Sequence, residues 1–238
     1  MIKKQRIILK ISGAALKDKR DNTILSKNKL LSIANQIKTL SKNYQIAIVV
    51  GGGNIWRGGA SDLSLYREKD SHYMGMIATI INSYALKEVL LRNKVKTVLF
   101  SLLPSPRVAL GYKPIKVKKS LEMGNVVILA GGTGQPFVST DTGAAKDAHE
   151  LNANLIVMGK DGVDGVYSDD PKKNKKAIRY NKLTLQEIIN KKLKVMDMNA
   201  VEICQRNKID ILVFNIERRN AIVQALKNKI PTTFISYK

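Results

Sequence analysis

Three apolar runs that each end abruptly at glycine constrain the fold more than any other feature of the chain. The runs are RIILKI before Ser12-Gly13, IAIVV before Gly51-Gly52-Gly53, and NVVILA before Gly131-Gly132. A continuous apolar run of this length, rich in β-branched residues, predicts a strand that is buried on both faces. Between the first two runs, Ser26–Lys42 has leucine and isoleucine at helical spacing. Strand, helix, strand in this order predicts a right-handed parallel βαβ unit.

The same alternation continues to the end of the chain. Further strands are predicted at Lys96–Ser101, Leu155–Met158, Ile211–Phe214 and Thr232–Ser236, and further helices at His72–Arg92, Pro114–Met123, Ala144–Leu151, Leu183–Asn190, Asn199–Asn207 and Asn220–Asn228. The segment Ser61–Ser71 is polar and predicts a loop over the site. The helix after it is apolar on several faces, which predicts that it is buried or lies at a subunit interface.

The composition favours a globular protein with a strongly basic surface. The chain has 238 residues, enough for one large domain or two small lobes, and a formal net charge of +22. Lysines are spread along the chain and aromatic residues make up only 5%, so no base-stacking surface is indicated. We expect weak attraction to polyanions and no specific nucleic acid. A basic regulator that binds nucleic acid is the alternative from a different functional class.

The cysteine content and the hydropathy pattern indicate the cellular compartment in which the protein is expected. Cys204 is the single cysteine, which excludes an internal disulfide and a cysteine-cluster metal site. No apolar run approaches the roughly 18 residues that a membrane-spanning helix needs. Lys10 interrupts the apolar run near the N-terminus, which indicates a first strand and not a signal peptide. We therefore expect a cytoplasmic protein that does not enter a membrane.

The glycine turns have the chemistry of a phosphate site. Without Cβ atoms, the backbone N–H groups of a turn can approach an anion closely and point together at it. Arg57 follows one turn and Lys10 precedes another, and both are suited to phosphate. Each also has a simpler interpretation, since Arg57 can be a surface residue and Lys10 an ordinary strand lysine. Asp141 stands where the next helix begins, and its simpler interpretation is the N-cap of that helix.

No single-loop nucleotide motif is present. The sequence has neither the G-x4-G-K-[ST] phosphate loop nor G-x-G-x-x-G after a strand. It also has no G-x-S-x-G nucleophile motif. We therefore expect a phosphate site that is shared among several strand ends.

Six segments, taken in order, carry a resemblance to a known family. They are Lys10-Ile11-Ser12-Gly13, Gly51-Gly52-Gly53-Asn54 with Arg57-Gly58, Met74-Gly75-Met76, Thr133-Gly134 through Thr140-Asp141, Val163-Asp164-Gly165-Val166-Tyr167, and Lys194-Val195-Met196-Asp197. Together they resemble the bacterial uridylate (UMP) kinases of the amino acid kinase superfamily. The resemblance extends along essentially the whole chain.

The resemblance implies a fold and a reaction. The fold is α/β, a three-layer αβα sandwich with a central, mainly parallel sheet, formed by one domain over 1–238. A lobe over about 1–153 would bind UMP and carry the phosphoryl transfer, and a lobe over about 154–238 would bind the nucleoside part of ATP. The reaction would convert ATP and UMP to ADP and UDP with Mg²⁺, in a homo-oligomer that the family implies is a hexamer.

The resemblance also implies roles for residues at matching positions. The catalytic residues would be Lys10, Arg57, Asp141 and Asp197. UMP would bind Gly52, His72, Thr133, Gly134, Gln135, Pro136, Phe137, Val138, Ser139 and Thr140. ATP would bind Lys10, Ile11, Ser12, Gly13, Gly53, Arg57, Asp161, Tyr167 and Asp170. Asp141 and Asp197 would organise Mg²⁺ and Lys10, and Mg²⁺ would be held mainly by the ATP phosphates, with Asp141 as its candidate protein ligand.

Two positions depart from the family pattern. Many relatives have an aspartate that binds the UMP ribose where this chain has His72, and relatives often have Asn or Thr where it has Asp161. A carbamate or N-acetylglutamate kinase of the same fold is the alternative enzyme, but the Met-Gly-Met and Val-Met-Asp segments disfavour it. A phosphate acceptor is already ionised near neutral pH, so no general base is required. Catalysis would then rest on alignment and charge neutralisation.

Overall fold

The protein is an α/β sandwich built on one large sheet. The computed structural model describes residues 4–18, 23–57 and 65–238. Its strands are β1 (Gln5–Ile11), β2 (Tyr44–Val50), β3 (Thr97–Ser101), β4 (Leu110–Gly111), β5 (Val126–Ala130), β6 (Leu155–Lys160), β7 (Val166–Tyr167), β8 (Arg179–Tyr180), β9 (Lys182–Thr184), β10 (Asp210–Asn215) and β11 (Thr232–Ser236). Its helices are α1 (Lys27–Leu40), α2 (Glu68–Arg92), α3 (Pro114–Glu122), α4 (Thr140–Glu150), α5 (Leu185–Lys191), α6 (Met198–Arg206) and α7 (Ala221–Leu226), with a 3-10 turn at Gly13–Leu16.

The sheet is mainly parallel, as the alternation of runs predicts. Across the described residues its strand order is β4-β3-β5-β2-β1-β6-β10-β11-β9. Only the β10–β11 pairing is antiparallel within it, and β7 and β8 form a separate antiparallel ribbon. The centre of the sheet, β5-β2-β1-β6, contains all three runs that end at glycine. This order brings their carboxyl ends together at one edge.

Helices cover both faces of the sheet and confirm the three-layer sandwich. On β1, Ile8 packs into the core under α3, α4, α5 and α6, whereas Ile7 and Leu9 pack into the core under α1, α2 and α7. This alternation follows from the two-residue period of a strand that is buried on both faces. Local caps fix the helix starts, as at Thr184, which forms a reciprocal capping box with Glu187.

The structure corrects several predicted boundaries. Helix α2 begins at Glu68, not at His72, so the end of the polar segment Ser61–Ser71 is helical; residues 61–64 and Gly58 lie outside the described part of the chain. Glu68 and Asp70 sit in the first turn, where acidic side chains interact favourably with the helix dipole. Helix α4 begins at Thr140, four residues before the predicted start. The short strands β4, β7, β8 and β9 are too brief for a periodic signal.

Helix α2 is the longest of the described helices, and its contacts hold the glycine turn after β2 in place. By length and apolar composition alone it could cross a membrane. However, Ala78, Leu86 and Leu90 on its inner side are buried, and it packs against β3, β5 and α1. The core that α2 helps to form therefore explains the apolar residues on its inner side.

An amide pair ties α2 to the glycine turn after β2. Asn82 is completely buried, and its Nδ2 donates to Gly51 O at 2.7 Å and to Asn54 Oδ1 at 2.7 Å. The Asn54 amide donates back to Asn82 Oδ1 at 3.1 Å and to Ile24 O at 2.9 Å. Buried amides that satisfy one another in this way fix a unique local geometry. The turn is thus held by α2 and not only by its own backbone.

Replacing Asn82 by leucine tests this connection. Asn82→Leu keeps the approximate volume but leaves Gly51 O and the Asn54 amide without their partner, so we expect the free energy of unfolding to fall by about 2 kcal/mol. Urea denaturation monitored by circular dichroism measures the change. Asn35→Leu, at an exposed position on α1, is the control and should shift the free energy of unfolding by less than about 0.5 kcal/mol. Equal effects of the two substitutions would contradict the assigned role of the pair.

Candidate active site

The candidate site lies where the carboxyl ends of β1, β2, β5 and β6 meet. Lys10 lies near the end of β1, Gly51–Gly53 follow β2, and Gly131 and Gly132 follow β5. Lys160 is the last residue of β6. Ligands of open parallel sheets bind at this edge, because the loops there leave a crevice between them. The structure therefore brings together the three glycine turns that the sequence singles out.

Close backbone packing explains why the turns contain glycine. A Cβ on Gly13 would lie 2.5 Å from Asn54 Oδ1 and 2.6 Å from Gly51 O. A Cβ on Gly52 would lie 2.6 Å from Gly75 O, on the first half of α2. All three distances are shorter than a Cβ atom tolerates. The turns after β1 and β2 and helix α2 therefore pack as one unit.

Lys10, Asp141 and Lys160 form the charged centre of the site. Lys10 Nζ is 2.6 Å from Asp141 Oδ1, and Lys160 Nζ is 3.7 Å from Asp141 Oδ2. The side chains of Lys10 and Asp141 are only 9% and 15% exposed. Burial raises the pKa of the Asp141 carboxyl, but Lys10 and Lys160 outweigh burial and hold that pKa below its usual value. Asp141 is therefore a carboxylate shared by two lysines.

Asp141 is not the N-cap of α4, so that alternative is wrong. Ser139 is the N-cap, and its Oγ accepts from the backbone N–H groups of Asp141 and Thr142 at 3.1 Å. Asp141 lies in the first helical turn, which leaves its side chain available to the lysines. The sequence does contain an N-cap residue at this helix start, but it is Ser139, two residues before Asp141.

Asp197 connects two helix starts. Its side chain caps α6 by accepting from Ala200 N at 3.0 Å. The same carboxylate accepts from Thr142 Oγ1 at 2.6 Å and from Ser139 Oγ. The contacts of Asp197 within the described chain thus reach the first turn of α4, on either side of Asp141. This geometry gives Asp197 a positioning role toward Asp141.

A small cavity lies between α2 and the loop after β5. It has a volume of about 150 Å³, and its lining includes Gly52, His72, Val138 and Thr140 from the expected UMP residues. Trp56, Gly75, Met76, Thr79 and Gly132 complete the lining. The Trp56 indole N–H donates to Ser71 Oγ at 3.1 Å, which fixes the ring against the start of α2.

His72 and Phe137 pack against each other beside this cavity. Their ring centroids are 4.6 Å apart, and Phe137 is 60% exposed. Phe137 has a φ of 64°, a left-handed conformation that is rare for an aromatic residue. Such strain persists only where surrounding structure imposes it, and it commonly marks a functional site.

The rest of the loop after β5 faces another surface. Thr133, Gly134 and Gln135 line an open groove of about 640 Å³ together with residues of the 101–112 segment. Pro136 is half-buried and lines neither the small cavity nor this groove, and the exposed Phe137 and Ser139 also line neither of them. The structure thus divides the other expected UMP residues between the small cavity and this groove.

A larger cavity lies beyond Lys160. Its volume is about 470 Å³, and its lining includes Tyr167 and Asp170, as well as Lys194 and Val195 of the Lys194–Asp197 segment. Asp161, which was expected beside them, lines a different cavity of about 230 Å³ with Lys17, Lys29 and Glu217. The structure therefore brings Tyr167 and Asp170 together and does not bring Asp161 to them.

The remaining expected residues surround the glycine turns. Ile11 is fully buried in the core, and Ser12 begins the 3-10 turn that contains Gly13. Arg57 is exposed, and its Nε donates to Gly53 O at 3.2 Å. This contact places the guanidinium group over the turn after β2, where it can reach an anion bound there.

Three residues of the site were missed by sequence reasoning. Lys160 lies just beyond the predicted strand Leu155–Met158 and was not singled out, although the two-residue strand period places it on the same face as Lys10. Asn82 and Thr79 were hidden within an apolar helix. Thr79 Oγ1 accepts from Gly131 N at 2.9 Å and so holds the turn after β5. Polar residues at buried positions of an apolar helix were the available signal.

The carboxylate oxygens of the site suit a metal ion that enters already bound to the phosphates of a substrate. Among the described residues, no group of three or more His, Cys, Asp or Glu side chains could hold a metal ion. Both Asp141 oxygens already face lysines. Mg²⁺ is commonly bound through one or two carboxylates and substrate phosphates, which is the arrangement that Asp141 could complete.

Comparisons with known proteins agree with this geometry. The model of the amino acid kinase family matches residues 5–215. A uridylate kinase from Malacoplasma penetrans is 44% identical over 98% of this chain and 73% of the relative. One from Ureaplasma parvum is 43% identical over 99% of this chain and 100% of the relative.

Solved structures give the same result. A crystal structure of UMP kinase from Ureaplasma parvum superposes with a TM-score of 0.94 at 42% identity, covering 99% of this chain and 100% of that one. The UMP kinase from Bacillus anthracis superposes with a TM-score of 0.91 at 32% identity, covering 98% of this chain and 96% of that one. Sequence and fold thus show that this chain belongs to the amino acid kinase family, within its uridylate kinase branch.

Proposed function

We propose that the protein transfers the γ-phosphoryl group of ATP to UMP, giving ADP and UDP. One observation carries this proposal: two cavities of different size flank a single charged centre. Thr140 lines the cavity of about 150 Å³, and its neighbour Asp141 contacts Lys160, which lines the cavity of about 470 Å³. This arrangement suits a transfer between two bound molecules. The names of the relatives supply the identities of donor and acceptor.

The small cavity is the proposed acceptor site. UMP would bind the 133–140 loop, with Gly52 at its phosphate and the His72–Phe137 pair near its base or ribose. The strained backbone of Phe137 supports this assignment, because it presents an aromatic ring beside the cavity. The glycine turns let backbone N–H groups approach the acceptor phosphate.

The larger cavity is the proposed donor site. Its volume of about 470 Å³ is within the range of ligand pockets that hold small organic molecules. Tyr167 and Asp170 would contact the nucleoside of ATP, and the triphosphate would run toward Lys10, Ser12, Gly13, Gly53 and Arg57. Asp161 has the least structural support among these residues, since it lines another cavity. In this assignment residues 1–153 carry acceptor binding and transfer, and residues 154–238 carry nucleoside binding.

The proposed chemistry needs no general base. An oxygen of the UMP phosphate attacks the γ-phosphorus, and the bond to the β–γ bridging oxygen breaks with its electron pair leaving on ADP. The acceptor oxygen is already deprotonated, so no proton must be removed. The barrier comes from bringing negative groups together, and it falls when cations and N–H donors are held in place beforehand.

The residues of the charged centre then have separate tasks. Lys10 and Arg57 neutralise charge on the phosphates, and Asp141 holds Lys10 in place at 2.6 Å. Asp197 holds the first turn of α4 and so positions Asp141. Mg²⁺ bound to the ATP phosphates, with Asp141 as the protein candidate, would neutralise further charge.

We also propose a homo-oligomer, which the resemblance to the family implies is a hexamer. Ile77, Ile81 and Tyr84 are 51%, 47% and 39% exposed and lie at positions i, i+4 and i+7 of α2. These residues share one helix face, which points away from the buried side. Exposed apolar stripes of this kind are typical of interfaces. A cytoplasmic location remains our expectation for this enzyme.

The substrate assignment is tested by ADP release across acceptors. With ATP and Mg²⁺ in a coupled assay, we expect the highest kcat/KM with UMP and a lower value with CMP. Carbamate and N-acetylglutamate should give no turnover above background, because neither fills a site built for a nucleotide. Faster turnover with either of them than with UMP would support the alternative enzyme and contradict our proposal.

Charge neutralisation is tested by Lys10→Met and Arg57→Ala. Each removes one cation from the phosphates, so we expect kcat to fall by about 100-fold or more while the melting temperature stays near that of the wild type. Steady-state kinetics and thermal unfolding provide both values. Lys182→Met removes an exposed lysine on β9 and should leave kcat unchanged. Wild-type turnover of either site variant would show that the site is misplaced.

Assembly through α2 is tested by Ile81→Glu. A charge on the apolar stripe should reduce the molar mass in solution, as measured by size-exclusion chromatography with light scattering. Ile178→Glu changes an isoleucine that is 69% exposed outside α2 and should preserve the assembly. A monomeric wild type, or an Ile81→Glu variant that assembles normally, would contradict the proposed interface.

A further inference from the structure

The position of Lys160 follows from the register of the sheet. Lys10 on β1 pairs with Met158 on β6, and Lys160 lies two residues farther along β6. Because side chains alternate along a strand, Met158 and Lys160 point to the same face as Lys10. That face is the one covered by α4, and α4 begins with the turn that contains Asp141. Two lysines from neighbouring strands thus reach one carboxylate.

The three groups leave an excess of positive charge in a half-buried place. Asp141 offers one negative charge to both Lys10 and Lys160. Lys10 has the shorter contact, at 2.6 Å, and the lower exposure. Lys160 has the longer contact, at 3.7 Å, and its side chain is 29% exposed. Lys160 is therefore the more weakly held of the two cations and the one with access to solvent.

Lys160 also belongs to the wall of the larger cavity. It lines the cavity of about 470 Å³ at the end that adjoins Asp141. Its backbone is fixed, because it pairs in register with Asn215 of β10 and its carbonyl oxygen accepts from Ile216 N at 3.0 Å. Only the side chain needs to turn for the ammonium group to exchange one anion for another.

We propose that Lys160 is a phosphate-binding cation of the donor site, which exchanges Asp141 for the phosphate chain of ATP when the nucleotide binds. In the free protein the lysine is held beside Asp141. In the complex it contacts the donor phosphates from the side of the larger cavity. Asp141 then remains with Lys10. This inference rests on the proposed function for the identity of the donor.

The exchange is favourable on electrostatic grounds. Burial lowers the pKa of Lys160, and the charge of Lys10 lowers it further, while Asp141 opposes both. A bound triphosphate supplies several negative charges where the free protein has one. A charge-assisted hydrogen bond to phosphate in a site of low dielectric is stronger than the 3.7 Å ion pair that it replaces.

Nucleotide binding to Lys160→Met provides the test. Methionine keeps the length of the side chain and removes the charge. We expect the affinity for a non-hydrolysable ATP analogue with Mg²⁺, measured by titration calorimetry, to fall by about tenfold or more, and kcat to fall by at least a similar factor. Lys160→Arg keeps the charge and should recover most of the lost affinity. Lys182→Met is the control and should bind the analogue as the wild type does.

A second measurement separates phosphate binding from a structural role. Trp56 is the only tryptophan of the chain and lines the small cavity, so its fluorescence reports UMP binding in the absence of donor. We expect the affinity of Lys160→Met for UMP to stay within about twofold of the wild-type value. Unchanged affinity for the ATP analogue, or an equal loss for UMP and the analogue, would overturn the proposal.

The binding measurement also stands apart from the proposed reaction. It needs no acceptor, so a wild-type protein that binds the ATP analogue but does not phosphorylate UMP would contradict the proposed function only. In that case a loss of analogue affinity in Lys160→Met would still support the role of Lys160. Retained turnover of UMP together with an unchanged affinity for the analogue would contradict the role of Lys160 only.

Discussion

The carboxylate of Asp141 is the contact on which the rest of the site depends. It is almost buried and lies between two lysines from neighbouring strands. A buried lysine without an anion would lose its charge or shift the structure. Asp141 supplies the anion that both lysines face at the carboxyl ends of β1 and β6. The helix that carries Asp141 must therefore begin at a defined place, and several contacts fix where it begins.

Those contacts extend from the charged centre to distant parts of the chain. Ser139 caps α4, and Asp197 binds Ser139 and Thr142 while it caps α6. The segment just before Asp197 lines the larger cavity through Lys194 and Val195. A displacement of that segment would be transmitted to the first turn of α4 through one carboxylate. The N-caps of α4 and α6, together with the ion pair between Asp141 and Lys160, thus connect the walls of the small cavity and the larger cavity.

The sequence predicted the layers of the fold and the location of the site better than the individual contacts. Long apolar runs determine β1, β2 and β5, because strands buried on both faces must be apolar throughout. The glycines marked the site, since the close approach of Gly13 to Asn54 and of Gly52 to Gly75 tolerates no Cβ. The resemblance to a family supplied the layer count and the substrates.

What the sequence could not predict depends on contacts between distant segments. Asp141 was open to interpretation as a cap, because only the three-dimensional position of Ser139 shows which residue accepts the N–H groups. Lys160 was overlooked because its partner is nineteen positions away on another element. Asp161 was grouped with Tyr167 through the resemblance to the family, yet the chain turns between them and the two residues line different cavities. Local patterns do not record such turns.

The electrostatics of the centre explain why a fold without a phosphate loop can bind phosphates. A phosphate loop concentrates its N–H donors and its lysine in one segment. In the site proposed here the N–H donors come from the turns after β1, β2 and β5, and the cations come from β1, β6 and the segment after the β2 turn. Each segment alone has only a weak attraction for an anion. Their convergence leaves two lysines around one carboxylate, and burial makes this excess of positive charge costly in the free protein. In the proposed site, bound phosphate would relieve that cost, and the same burial would strengthen the attraction between the lysines and the phosphate.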